Sequence, residues 1–386
     1  MKGHIYQKKN KEFAQQKRTT LPLELIIEIL SLLPVKSLVR FLYVSKSWFA
    51  LIINDSYFIK LHLNRSRERT LILVADKPRY FHLVNFSIDD RFGEAMKIKQ
   101  PLHHLKSTEI VDSCNGLVCI RNYDDDVDEF VIWNPLIRKY KKLPSMPREK
   151  AEKLSSDYLA FGYDWVNDDY KVLRFVNFHQ QARLECVRDG RRVYSLDVYS
   201  LREHSWRIVE EEWPIEEPYS LSGLAIFSNG AFHWVATHRT TDLKKEHVAF
   251  DLSTEKFRVH AFQVNSFIRG RVDLVDLGGW LCAVFLDICE VWMMKEYGVS
   301  SSWTLLYWVQ PAFSNLPPLV FSHEGKEVLT AELVDNKCVE LYWYDIKNKT
   351  RRIVEIQNMP NGLFLPYTCV GSTVLLLDAN SDNYLQ

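Results

Sequence analysis

The chain has 386 residues, 47% apolar and 25% charged, with 49 Lys+Arg balancing 49 Asp+Glu. Zero net charge removes any whole-chain pull toward nucleic acid or an anionic membrane. The apolar content supplies a large core for about two or three domains.

The balance hides an asymmetry. Residues 1–70 hold 13 Lys/Arg against 5 Asp/Glu, a net of +8, so residues 71–386 carry −8. The basic stretch MKGHIYQKKNKEFAQQKR (1–18) has no apolar block; it predicts a solvated, disordered tail rather than a secretory signal. The most apolar window, LVDLGGWLCAVFLDICEVWMM, is broken by Asp276, Asp287 and Glu290, so no membrane span is expected. Seven cysteines without a C-x-x-C pair predict reduced, mostly buried thiols and a cytoplasmic or nuclear setting.

The first ordered stretch, LPLELIIEILSLLP (21–34), has only Glu24, Glu28 and Ser31 as polar residues. Their spacing makes one narrow stripe on a helix that is otherwise apolar. Thr20 is placed to cap it, Pro22 suits its first turn, and Pro34 stops it. VKSLVRFLYV follows, with Leu38, Phe41 and Leu42 on one face. In SKSWFALIIND, Ser45 is a cap and Trp48, Leu51 and Ile52 share a side. Three such short helices bury too little surface to be secure alone, and they display more apolar surface than they can cover. Two readings stay open: the helices dock on a partner, or they pack on the rest of their own chain.

Leu21-Pro22, Glu24-Leu25, Ile29-Leu30, Leu33-Pro34, Val35-Lys36-Ser37-Leu38, Val44-Ser45-Lys46-Ser47-Trp48 and Leu51-Ile52 together resemble an F-box. Ser45 stands where many members have Cys. The resemblance implies docking to the Skp-type adaptor of a cullin-based SCF ubiquitin ligase. Leu21, Pro22, Leu25, Ile29, Leu30, Leu33, Pro34, Leu38, Val44 and Trp48 fall on the pattern; some would touch the adaptor and others would hold the module together.

From residue 71 the helical spacing gives way to short runs of Val, Tyr, Phe and Trp between Gly, Asn and Asp turns, the mark of strands and hairpins. Turn-centred stretches recur near 115, 162, 230, 279, 325 and 371, with gaps of about 47, 68, 49, 46 and 46 residues. The long gap holds a charged insert, HQQARLECVRDGRRV. A second strand–turn–strand element follows five of them, as in FVIWNPLIRKYKKLP and VAFDLSTEKFRVHAF. Four strands at this period predict β-propeller blades. Five units are complete, and LILVADKPRYFHLVNFS (71–87) can pair with the unfinished C-terminal unit. The expectation is therefore a mainly β protein, a six-bladed β-propeller after a small three-helix module. Seven blades or a large sandwich are the alternatives. The expected division is a tail at 1–18, the helical module at 19–65, and the propeller at 71–380 with its closing blade shared by both ends.

SCNGLVCI, WNP, GYDWVNDDYKV, NGAFHW, FDLSTEKF and WMMKEYGVSSSWT make this half similar to the plant F-box-associated domain of S-locus F-box-like proteins.

No chemistry stands out. Asp124, Asp125, Asp126, Asp128 and Glu129 lack calcium-loop spacing and read as a solvated hairpin tip; Glu210–Glu212, Glu216 and Glu217 read likewise. His103-His104 lacks a third ligand. Gly278-Gly279 is a tight turn, and Cys114 and Cys119 are packing residues. Trp133, Trp165, Trp206, Trp234, Trp292, Trp303 and Trp343 are expected to pack blade against blade. No cofactor or metal is expected, and the acidic domain is a poor nucleic-acid platform. The two resemblances imply a non-catalytic substrate receptor of an SCF ubiquitin ligase, with a target protein on propeller loops around 122–129, 177–192, 210–220, 236–246 and 310–318. A scaffold acting outside a ubiquitin ligase is the alternative. A propeller enzyme ranks last, because converging carboxylates or a metal set are missing.

Overall fold

Proline sets the phase of the N-terminal helices. A computed structural model describes residues 21–65, 69–75, 80–86, 91–102, 107–123, 128–145, 155–178, 194–215, 219–238, 244–262, 271–308, 316–334, 338–359, 364–374 and 376. The basic tail and the Thr20 cap lie outside them. The chain divides into two units, Met1–Ser66 and Arg67–Gln386.

In the first unit, α1 (Leu23–Ser31) and α2 (Val35–Phe41) each begin directly after a proline, Pro22 or Pro34, with φ of −50° and −57°. Proline fixes φ and lacks the N–H that a first turn would leave unpaired. Pro34 thus starts one helix as well as ending another. At α3 (Lys46–Phe49) the Ser45 hydroxyl accepts the Trp48 N–H at 3.2 Å. This helix runs on through a wider π turn, Ala50–Asn54. A fourth helix, α4 (Ser56–Arg65), completes the module beyond the three that spacing predicts. The Asp55 carboxylate accepts the Phe58 N–H at 2.8 Å at its start. Leu30, Val35, Leu38, Leu51, Ile52, Ile53 and Phe58 form the core, and buried His62 bonds through Nε2 to the Leu33 carbonyl at 3.0 Å.

The second unit holds six four-stranded antiparallel sheets. Blade 1 comprises β4 (Ser107–Cys114), β5 (Leu117–Tyr123), β6 (Asp128–Asn134) and β7 (Lys139–Lys142). Blade 2 comprises β8 (Ser155–Asp164), β9 (Asp169–Phe178), β10 (Tyr194–Ser200) and β11 (Ser205–Ile208). Blade 3 comprises β12 (Tyr219–Ser228), β13 (Ala231–His238), β14 (Lys245–Asp251) and β15 (Lys256–Ala261). Blade 4 comprises β16 (Val272–Leu277), β17 (Trp280–Phe285), β18 (Glu290–Met294) and β19 (Trp303–Trp308). Blade 5 comprises β20 (Val320–Phe321), β21 (Glu327–Val334), β22 (Cys338–Asp345) and β23 (Thr350–Ile353).

The closing blade orders β24 (Phe364–Val370), β1 (Arg69–Ala75), β2 (Tyr80–Phe86) and β3 (Met96–Lys99). The pattern predicts a pair of strands at the C-terminal end, but the structure takes one strand from there and three from the N-terminal side. Residues 371–374 and 376 form no strand. This segment is clamped to blade 1 instead: Asn134, the Asn of WNP, donates from Nδ2 to the Ser372 and Val374 carbonyls, each at 3.0 Å. Leu376 joins a core with Val111, Cys114 and Leu117.

Six apolar clusters fill the gaps between neighbouring blades. Trp133, Trp234, Trp303 and Trp343 are buried in them. Trp165 is not: it sits on the turn between β8 and β9 and is 54% exposed. Polar turns hold one end of the ring. Asn134, Asp164, Ser200, Asp251 and Asp345 each accept an N–H two or three residues ahead. Four residues after each of them, Arg138, Asp168, His204, Glu255 and Lys349 turn the backbone at φ between 52° and 57°. These are side-chain-capped turns; four join the third and fourth strands of a blade, and Asp164–Asp168 joins the first and second strands of blade 2. The opposite end carries the connections around 122–129, 177–192, 210–220, 236–246 and 310–318, because each joins a second strand to a third or one blade to the next. Within them 124–127, 179–193, 216–218, 239–243 and 309–315 fall outside the described residues.

Asn115-Gly116 and Asn229-Gly230 both have two positive φ values, as tight two-residue hairpins require. A Cβ on Gly116 would lie 2.1 Å from the Ser372 Cβ and 2.9 Å from the Val370 carbonyl, whereas one on Gly230 meets nothing within 4 Å. Gly230→Ala should therefore cost about 1 kcal/mol of backbone strain, and Gly116→Ala about 2–3 kcal/mol because it also displaces the closing segment. Chemical denaturation of the two variants measures the difference.

Candidate functional site

Helix α1 is turned inside out relative to an ordinary surface helix. Its exposed apolar residues are Leu23 (58%), Leu25 (49%), Ile29 (52%) and, just past its end, Leu32 (69%). Two of its three polar residues, Glu28 and Ser31, bond to α4. Ser31 is buried; its hydroxyl donates to the Glu28 carbonyl at 2.9 Å and accepts from Arg65 Nη1 at 2.7 Å. Arg65 also forks onto the Glu28 carboxylate, at 2.6 Å and 3.2 Å. That hydrogen bonding holds the Glu28 carboxyl below its usual range. Of the three stripe residues Glu24 and Glu28 are exposed, Glu28 while bonded to Arg65 of α4, and Ser31 is buried.

Of the pattern residues, Leu21, Pro22, Leu25, Ile29, Pro34 and Val44 are exposed, and Leu33 and Trp48 are half-buried. Leu30 and Leu38 are core. Leu23, Leu32 and Tyr43, which the pattern leaves out, join the exposed apolar face. Their signal was present in helical phase: Leu25, Ile29 and Leu32 recur at four and three residues. Each such side chain gains about 1.5–3 kcal/mol when fully covered.

In the propeller, burial shifts titratable groups strongly. It pushes the thiols of Cys114 and Cys119 up, and those of Cys282 and Cys369 up to about 12, which leaves them as poor nucleophiles. Lys171 donates to Asp164 at 2.9 Å, to the Leu252 carbonyl at 2.7 Å and to Glu255 at 3.0 Å, linking blades 2 and 3. In blade 3, His233 and His247 share a hydrogen bond at 2.9 Å, and His247 stacks on His260. Burial holds His233 down at about 4. Asp112 is raised to about 7, chiefly by desolvation. Among the described residues, no group of three or more His, Cys, Asp or Glu is placed to hold a metal ion. Asp124–Asp126, His103-His104, Glu216 and Glu217 lie outside the described residues; Glu211 pairs with Lys256 at 2.6 Å. No described helix is long and apolar enough to cross a membrane.

The fold defines a class: a six-bladed β-propeller protein with an N-terminal helical module. Residues 19–60 match the F-box domain, and residues 69–375 match the F-box associated beta propeller domain. The chain belongs to the F-box proteins that carry this propeller. It is 31% identical to F-box protein CPR1 of Arabidopsis thaliana, over 89% of this chain and 86% of that one. F-box protein At4g22390 of the same plant is 28% identical, over 85% and 84%. F-box/kelch-repeat protein At3g23880, also of Arabidopsis thaliana, is 30% identical over 80% and 84%.

His233 and Asp112 should give the propeller opposing pH responses. Unfolded histidine takes its proton near pH 6.5, folded His233 only near 4, so the unfolded state binds more protons between those values. This group alone removes on the order of 3 kcal/mol as pH falls through that window. Asp112 works the other way, losing stability as pH rises from about 3.8 to about 7. In denaturation measured across pH, His233→Gln should gain on wild type as pH falls from about 6.5 to about 4, and Asp112→Asn as pH rises from about 3.8 to about 7.

Proposed function

We propose that the chain is the target-recognition subunit of a Skp–cullin–F-box ubiquitin ligase. The observation that carries this reading is the outward apolar face of α1, which lies in the segment that matches the F-box and is held there by Arg65 of α4 on Glu28 and Ser31. In this reading the adaptor covers Leu21, Pro22, Leu25, Ile29, Leu33, Pro34, Val44 and Trp48 together with Leu23, Leu32 and Tyr43. Leu30 and Leu38 keep the module in shape from within. The functional division is tail 1–18, docking module 19–65 and propeller 71–380. The loop-bearing end of the propeller holds a target protein, in the cytoplasm or nucleus. The chain makes and breaks no bond; it speeds ubiquitin transfer by proximity, through the adaptor and a cullin.

Replacing two exposed apolar residues by charge tests this. Leu25→Asp with Ile29→Asp should lower capture by a Skp-type adaptor at least a hundredfold and leave the thermal unfolding of the propeller unchanged, whereas Glu24→Ala keeps full capture. Undiminished capture by the double variant would show that α1 is not the docking surface. In cells with blocked proteasomes, a target is a protein labelled by proximity that stops being ubiquitinated when residues 21–64 are deleted.

A further inference from the structure

Each blade ends in an outer strand with no hydrogen-bonded neighbour among the described residues on its far side. Such edges recruit stray strands unless charge deters them, lysine above all. Five of the six are so guarded. β3 has Lys97 and Lys99, β7 has Lys139, Lys141 and Lys142, β11 has Arg207, β15 has Lys256 and Arg258, and β23 has Arg351 and Arg352. β19 reads WTLLYW and carries no charge at all. Its Leu305 and Trp308 are 41% and 40% exposed, while Trp303 and Tyr307 turn inward.

β19 also has the one register shift among the six outer-strand pairings: Tyr307 faces Val291 and Leu305 faces Trp292, so Leu306 is an extra residue. A bulge of this kind twists an edge and limits how far a pairing can extend. Beyond it, Trp308 lies under Lys349 of blade 5, whose Nζ is 4.3 Å from the ring centroid. The Tyr344 hydroxyl caps the Trp308 carbonyl at 3.2 Å. Lys349 is itself exposed at this end of the strand.

We propose that β19 is a pairing edge for a short extended segment of a target protein, an apolar peptide with acidic ends. Strand addition supplies main-chain hydrogen bonds, and alternate side chains supply selectivity. Leu305 and Trp308 would meet the apolar positions, and Lys349 an acidic end. A six-residue strand spans about 20 Å. Its pairing covers far less than the roughly 1,200 Å² that a stable dimer buries, so the edge suits a transiently held peptide better than a second copy of the chain. Only the origin of the peptide, a target protein, rests on the receptor reading.

The test uses the full chain and two fluorescein-labelled probes, Asp-Leu-Thr-Val-Thr-Leu-Asp and Asp-Leu-Pro-Val-Pro-Leu-Asp, the second unable to donate at its two proline positions. Anisotropy should show the first binding at least tenfold tighter. Leu305→Lys and Trp308→Ala should each weaken it about tenfold, while Tyr140→Ala on the guarded β7 edge leaves it unchanged. Equal binding of both probes, no binding of either, or indifference to Leu305→Lys overturns the proposal. So does a wild-type dimer in sedimentation that Leu305→Lys dissociates, which would make the occupant a second copy. Leu305→Lys should keep adaptor capture, and Leu25→Asp with Ile29→Asp should keep peptide binding, so failure of the edge and failure of the docking reading give different patterns.

Discussion

Seven residue pairs between β1 and β24, from Arg69↔Val370 to Ala75↔Phe364, join the two ends of the propeller. A ring of sheets has no covalent closure, so the whole unit depends on this seam. Bringing ends together across nearly 300 residues costs about 5 kcal/mol in chain entropy, little more than for a much shorter loop. The offset comes from both sides of β1. Leu71 and Leu73 pack into the cluster shared with blade 5, and Ile72 and Val74 into that shared with blade 1. Cys369 enters the second cluster, and the Ser113 hydroxyl donates to the Thr368 carbonyl at 2.6 Å. The Asn134 clamp then extends the seam past the last strand. Asn134 thus caps its own turn with its oxygen and ties down the C-terminal segment with its nitrogen.

The two units spend their polar groups in opposite ways. The propeller keeps its turns and outer strands wet and its inner strands dry. The helical module turns Ser31 inward, ties Glu28 to Arg65, and leaves leucines outside. An exposed charge pair is weak support for stability. Its effect here is orientation: the Arg65 fork meets Glu28 and Ser31 together, so α1 is fixed in rotation with Leu25, Ile29 and Leu32 pointing away. A helix held only by apolar contacts, with leucine on nearly every side, would have several rotations of similar energy.

The propeller was legible because its signal is periodic. Turn residues recur at a fixed place in each unit, and the Asn-Gly hairpins and capped turns lie where the spacing put them. The exposed apolar face was legible as an excess, but its direction was not. Ile29 and Leu30 are neighbours of similar character, and only the position of α4 makes one surface and the other core. SYFIKLHLNR gave little warning of α4, and the Arg65–Glu28 contact spans 37 residues, beyond any local pattern. The sequence after Gly371 looks like a strand, yet Ser372 and Val374 form none and bond to Asn134 instead. Trp165 shows the same limit: periodicity finds a hairpin without saying that its tip stands clear of the core.

Edge chemistry is a level of information that exists only after strand order is known. The outer strand is the part of a blade that the seam and the inter-blade cores constrain least, so its outward residues are free to differ. Five blades use that freedom for cations. Blade 4 instead pairs an uncharged strand with a bulge at Leu306 and a neighbour's lysine over Trp308. A bulge without charge restricts pairing to a short length, which suits recognition of a brief segment and resists open-ended association. Edge selectivity and the loops at the far end of the ring can therefore vary without disturbing the β1–β24 seam on which closure depends.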